Sequence, residues 1–156
     1  MAQKNINNIQ EVFMRTDIVI GLISNLREKS AQFINEELKK REVSGLINSH
    51  GTILSAMYDN DGMMTMNEIT KFIGKRKSTV TDIVKKLEKL DYISRQKSAK
   101  DARVIEVTLT KKGLDFKETF KEISTELLEK TYTNFTEEEK EILMRLLLKI
   151  RKNFME

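Results

Sequence analysis

Residues 67–113 read NEITKFIGKRKSTVTDIVKKLEKLDYISRQKSAKDARVIEVTLTKKG. Two apolar periods follow one another in this stretch. Val80, Ile83, Val84, Leu87 and Leu90 keep the i, i+3, i+4, i+7 spacing of an amphipathic helix. Ahead of them Ile69, Phe72 and Ile73 mark a shorter helix, with Asn67 as its expected N-cap and Gly74 as its stop. Past Asp91 the period becomes two. Tyr92 to Lys97 reads as one strand, and Ile105, Val107 and Leu109 alternate with Val104, Glu106 and Thr108 in a second. Between the strands lies a loop of small and charged residues, SAKDAR, from Ser98 to Arg103.

The flanks are helical in pattern. Residues of about 8 to 40 keep rough helical spacing, and a second helix is expected from Ser44 to Tyr58, ended by the turn signal DNDG. A short extended piece, MMTM, follows. Thr110 is an expected N-cap for a helix reaching Tyr132, and Thr136 with Glu139 fits a capping box at the start of the last helix. The chain has no proline, so long helices can run unbroken. Two helices across a tight turn followed by a two-stranded hairpin describe a winged helix-turn-helix. The expected fold class is mainly α with a small β wing.

Composition narrows the function classes. The chain has 156 residues, no cysteine and one histidine, His50. Disulfide scaffolds, thiol chemistry and metal sites built on thiolates or several imidazoles are excluded, and no cofactor or metal is expected. No glycine-rich phosphate loop and no nucleophile–base pair suggests an enzyme. The N-terminus lacks a signal pattern and the longest apolar run is too short to span a bilayer, so a cytoplasmic protein with no membrane partner is expected.

Charge is unevenly distributed. Residues 67–113 hold 13 Lys/Arg and 6 Asp/Glu, while the remainder holds 15 and 18. A basic central block of this kind is the footprint of a nucleic-acid-binding unit, and double-stranded DNA is the expected partner. The second helix of a helix-turn-helix presents its N-terminal end to base edges in the major groove. Here that end carries Lys75, Arg76, Lys77, Ser78, Thr79 and Thr81, with Lys85 and Lys86 a turn later for backbone phosphates. At the hairpin tip an exposed Asp-x-Arg contributes little to stability, since surface ion pairs contribute ~0–1 kcal/mol. Arginine does fit a narrow minor groove. Arg103 is therefore read as the inserted residue, Asp101 as the carboxylate that orients its guanidinium, and Lys97 and Lys100 as flanking phosphate contacts.

With these residues in view, the chain resembles the MarR family of transcription regulators. The match is carried by Ser78, Thr79, Thr81, Leu87, Glu88, Ile93, Arg95, Asp101, Arg103, Leu109, Thr110 and Gly113. The resemblance implies a sequence-specific regulator, a repressor, acting as a homodimer on a pseudo-palindromic operator. It implies that residues 1–43 and 111–156 form dimerisation helices around a DNA-binding region at 44–110, in one intertwined unit. It also implies release by a small aromatic or amphipathic ligand, for which Phe13, Asp17, His50, Ile53, Met57 and Phe116 are the candidate lining; the alternative is that Met57 and the aromatics are core and His50 is a surface residue at a helix end. Three positions depart from the family pattern. Arg76 replaces a small polar cap, Asp91 a helix-ending glycine, and Ala102 an arginine. The alternative is a winged-helix module that binds protein partners or RNA without reading an operator.

Overall fold

The computed structural model describes residues 16–155. A 3-10 turn, Thr16–Ile18, leads into α1 (Val19–Lys40), followed by α2 (Asn48–Tyr58), β1 (Met63–Thr65), α3 (Met66–Ile73) and α4 (Lys77–Lys89). The strands β2 (Ile93–Lys97) and β3 (Ile105–Leu109) come next, then α5 (Lys111–Asp115), α6 (Lys117–Thr131) and α7 (Glu137–Asn153). The chain divides after Lys117 into two compact units.

The first unit is a winged helix-turn-helix. Its sheet has the order β1-β3-β2, all antiparallel, with Met64 opposite Val107 and Arg95 opposite Val107 on the other edge. The core is built where the two periods meet. Ile53, Leu54 and Met57 of α2, Ile69 of α3, Val80, Val84 and Leu87 of α4, and Ile93 and Val107 of the sheet are all but fully buried. Each such side chain contributes about 1.5–3 kcal/mol by leaving water. This burial fixes the face that α4 turns outward.

Three boundaries differ from the sequence reading. The helix expected from Ser44 starts at Asn48, because Ile47 is extended (φ −136°, ψ 164°) and has no side chain to cap with. His50 reaches back instead, and its Nδ1 accepts the Ile47 N–H at 3.1 Å. The cap of α3 is Thr65 and not Asn67. Thr65 accepts the Glu68 N–H at 3.2 Å, and the Glu68 carboxylate accepts the Thr65 N–H at 2.7 Å. That reciprocal box satisfies two end donors together, which Asn67 alone could not. The helix expected from Thr110 to Tyr132 breaks at Phe116, whose ring packs edge-on against Tyr92 at 5.3 Å. Phe72, expected inside, is 57% exposed, since the eight-residue α3 buries only Ile69.

Gly74 ends α3 in the left-handed region (φ 64°), as its type allows. Asp91 does the same for α4 (φ 64°) without being glycine. Its strain is held by partners. The Tyr92 N–H reaches Leu87 O at 3.0 Å, and Thr110 Oγ1 donates to Asp91 O at 2.5 Å. Lys112 Nζ also donates to Leu90 O at 2.7 Å and lies 4.5 Å from the centre of the Tyr92 ring. The start of α5 is thus bolted to the end of α4.

The second unit contains most of α6 and all of α7. The capping box expected at Thr136 and Glu139 is present, with bonds of 2.8 and 3.2 Å. Tyr132 and Phe135 stack edge-on at 5.7 Å beneath Lys140. Ile142, Met144, Leu146, Leu147 and Leu148 of α7 are exposed, as are Val19, Ile20, Leu22 and Leu26 of α1 in the first unit.

Candidate nucleic-acid interface

The outward face of α4 follows from its inward one. With Val80, Val84 and Leu87 in the core, Lys75, Arg76, Lys77, Ser78 and Thr79 at its start and Lys85 and Lys86 further along are all exposed. Arg76 is the N-cap, and its side chain makes no capping bond. The first turn of α4 therefore keeps open backbone donors at the end that carries the cations, a setting that favours an anion. Thr81 differs from its neighbours. It is half-buried, and its hydroxyl donates to Lys77 O at 2.8 Å, so that proton is committed within the helix.

The wing is stiff at its base and its tip is closed by backbone bonds. Ser98 N–H donates to Val104 O and Val104 N–H to Asp101 O, both at 2.9 Å. Lys97, Lys100, Asp101 and Arg103 are exposed. Asp101 does not orient the Arg103 guanidinium. Its Oδ1 accepts the Arg103 backbone N–H at 2.9 Å, an Asx-type turn, and the Arg103 side chain has no ion-pair partner among the described residues. The carboxylate shapes the loop, and the guanidinium is left to the solvent.

Two residues that the sequence reading did not assign to the site sit between helix and wing. Arg95 of β2 donates through Nε and Nη2 to one oxygen of Glu88 on α4, at 2.9 and 2.5 Å. This pair ties the wing to α4. Beside it opens a cleft of about 220 Å³ lined by Thr65, Met66, Asn67, Lys77, Thr81, Arg95, Arg103, Val104 and Ile105. Its walls come from α3, α4 and the wing, up to 40 positions apart in the chain (Thr65 to Ile105). No local motif could have announced it.

Neither of the two clefts described here is lined by a candidate ligand residue. Phe13 lies outside the described residues. Asp17 is exposed, Phe116 is buried against Tyr92, and Ile53 and Met57 are core. His50 is 1% exposed, and burial pushes its pKa down, with the charge of Lys86 adding to the effect. It is a neutral structural residue with Nδ1 as acceptor. A larger cleft, about 430 Å³, lies instead between α1 and α2, lined by Ser24, Arg27, Glu28, Ala31, Asn48, Ser49, Thr52 and Lys75. It is polar, and apolar periodicity gave no sign of it. Among the described residues no cluster of His, Cys, Asp and Glu could hold a metal ion, and no helix is long and apolar enough to cross a membrane.

Known proteins share this architecture. A family model described as MarR family matches residues 44–104. Over 77 residues the chain is 31% identical to the HTH-type transcriptional regulator SarZ of Staphylococcus aureus, covering 49% of this chain and 52% of that protein. The chain thus spans about half the length of the curated relatives it matches. Among solved structures, the S. aureus MepR–DNA complex superposes with a TM-score of 0.78 at 26% identity, covering 86% of this chain and 97% of MepR. A MarR protein from Peptoclostridium difficile gives 0.77 at 25% identity, covering 90% and 89%. The matched segment runs from just before α2 to the wing loop, and the fold likeness extends over most of the chain: over residues 44–104 the chain is similar to the MarR family, whose winged helix-turn-helix fold it shares.

Proposed function

We propose that the protein is a transcription regulator, not an enzyme, that binds double-stranded DNA sequence-specifically in the cytoplasm as a homodimer and acts as a repressor. The observation that carries this reading is the outward face of α4, where five consecutive residues from Lys75 to Thr79 are exposed, cationic or hydroxylated, and without a side-chain cap. Arg103 on the wing supplies a second reading element, suited to a minor groove. Lys85, Lys86, Lys97 and Lys100 flank the two as phosphate contacts. The exposed apolar residues of α1 and of α7 favour a second copy of the chain as partner, since monomers rarely expose such stretches. A two-fold dimer would present two copies of α4 roughly 34 Å apart, matched to half-sites about one helical turn apart.

Release by a small molecule belongs to the same proposal. The polar cleft, with Arg27 and Lys75 beside the carboxylate of Glu28, supports an amphipathic effector there, and Lys75 leads directly into α4.

The test is a binding selection from a random duplex library at near-physiological salt. An enriched inverted repeat is expected, and Arg103→Ala should weaken binding to it by roughly 10- to 100-fold. A folded dimer that enriches no sequence would overturn the operator-reading proposal.

A further inference from the structure

The cleft between α4 and the wing has a chemistry of its own. It presents Lys77, Arg95 and Arg103 and no carboxylate. Glu88 partners Arg95 from outside the lining, and among the described residues Lys77 and Arg103 have no ion-pair partner. The two threonines of the lining are already engaged. Thr65 Oγ1 donates to Glu68 at 2.8 Å, and Thr81 Oγ1 donates to Lys77 O. Asn67 is exposed at the second position of α3, and its carboxamide has no hydrogen bond among the described residues. The open donors are therefore two cations, Lys77 and Arg103, and one amide, with the Glu88-paired Arg95 adding its charge beside them. At about 220 Å³ the cleft is smaller than the roughly 300–1,000 Å³ sites of drug-sized ligands, so its charge suits a single small anionic group.

Geometry says which group. If α4 lies in a major groove and the wing in the adjacent minor groove, one sugar–phosphate strand divides those grooves and must pass between the two elements. The cleft is the space between them. We infer that it seats a DNA backbone phosphate, held by Lys77 and the Asn67 amide and flanked by Arg95, at the edge from which Arg103 reaches the minor groove. This assignment rests on the DNA-binding reading and goes beyond it, because it makes Asn67 a phosphate donor and Arg95 part of the seat.

The experiment uses the full chain, the duplex recovered by selection, and Asn67→Asp. An acid in the first turn of a helix agrees with the helix dipole, so N67D should fold and melt no lower than wild type. In the cleft it sets a like charge against the phosphate. Binding should weaken about tenfold, with the salt slope smaller by about 0.9 per half-site. Operator phosphates are then replaced one at a time by uncharged methylphosphonate. One position per half-site should weaken wild type but leave N67D unaffected. Equal binding by N67D and wild type, or a scan with no such position, overturns the seat while leaving DNA binding intact. A thermal shift with inorganic phosphate at constant ionic strength separates the other source. If phosphate stabilises wild type over N67D and the scan finds no masked position, the cleft takes a free anion and the duplex assignment falls. If wild type binds no duplex at all, both readings fall together.

Discussion

Arg76 gives one position where stability and DNA binding should move in opposite directions. It is the N-cap residue of α4 (φ −59°, ψ 141°), and its side chain makes no bond to the open N–H groups of the first turn. Arg76→Ser supplies the missing acceptor. A serine cap stabilises by about 1 kcal/mol relative to a residue that cannot cap. In a chain of this size that raises Tm by roughly 2–4 °C. The same substitution removes one exposed cation from each α4. If each contacts a phosphate, a dimer loses about 1.8 from its log–log salt slope. Salt rises fourfold between 50 and 200 mM, so the advantage of wild type over the variant should shrink about tenfold across that range. Arg76→Ala is the control, since it loses the cation and gains no cap. The assays are thermal melts at fixed protein concentration and fluorescence anisotropy on the selected duplex at several salt concentrations. The expected pattern is R76S more stable than R76A by about 1 kcal/mol, with the two alike in their salt response. Equal melts would refute the open cap, and an unchanged slope would refute the phosphate contact.

Three further outcomes follow from the geometry. A Cβ on Gly113 would stand 2.1 Å from Tyr92 O, whereas one on Gly21 meets nothing within 4 Å. Gly113→Ala should therefore destabilise by about 1–3 kcal/mol, and Gly21→Ala should stabilise by about 0.5–1 kcal/mol, both read from denaturant midpoints. At the wing, Asp101→Asn keeps an acceptor for the Arg103 N–H and removes a negative charge, so it should bind DNA at least as tightly as wild type while Asp101→Ala binds more weakly. Weakening by D101N equal to that by D101A would mean that the carboxylate charge matters after all. For His50 the folded pKa is below its ordinary 6.5, so its contribution to stability is present above that value and is lost as pH falls through the folded pKa. His50→Asn, which retains an acceptor for Ile47, should lose less stability than wild type between pH 7 and pH 5 in urea melts; parallel curves would contradict a depressed His50.

Much of the fold was legible because the periods were clean. Val80, Val84 and Leu87 are core as their spacing indicated, while Ile83 and Leu90 of the same stripe are only partly buried, and the strands β2 and β3 lie within a residue of the alternating segments. What misled was competition between single residues and pairs. Asn67 is a good cap by type, yet the reciprocal Thr65–Glu68 box, with its two bonds, takes the helix start and leaves Asn67 inside it. Ile47 gave no cap signal because His50 supplies the acceptor from inside the helix. The exposed DNA-binding candidates could be read from α4, since an amphipathic helix fixes its outer face once its inner face is known. The candidate ligand residues of α2 carry a weaker signal. His50, Ile53 and Met57 share the apolar stripe of α2, and a stripe encodes a filled core and not a hollow one. Both clefts arise where separate elements meet, so no stretch of sequence contains them.

The two ends of α4 are held very differently. Its C-terminal end is clamped by Glu88–Arg95, by Thr110 on Asp91 O and by Lys112 on Leu90 O, while its N-terminal end has no side-chain cap. The helix is therefore a stylus gripped at the shaft with a compliant tip. Amide hydrogens at Lys77, Ser78 and Thr79 should exchange quickly in the free protein, and those near Leu87 slowly. A compliant tip lets a protein ride along arbitrary duplex on charge alone during its search, since it need not fit every sequence it passes. On the proposed DNA-binding function it should stiffen only where phosphates or bases occupy its open donors, so that part of the discrimination between sites would be spent as lost motion at three residues.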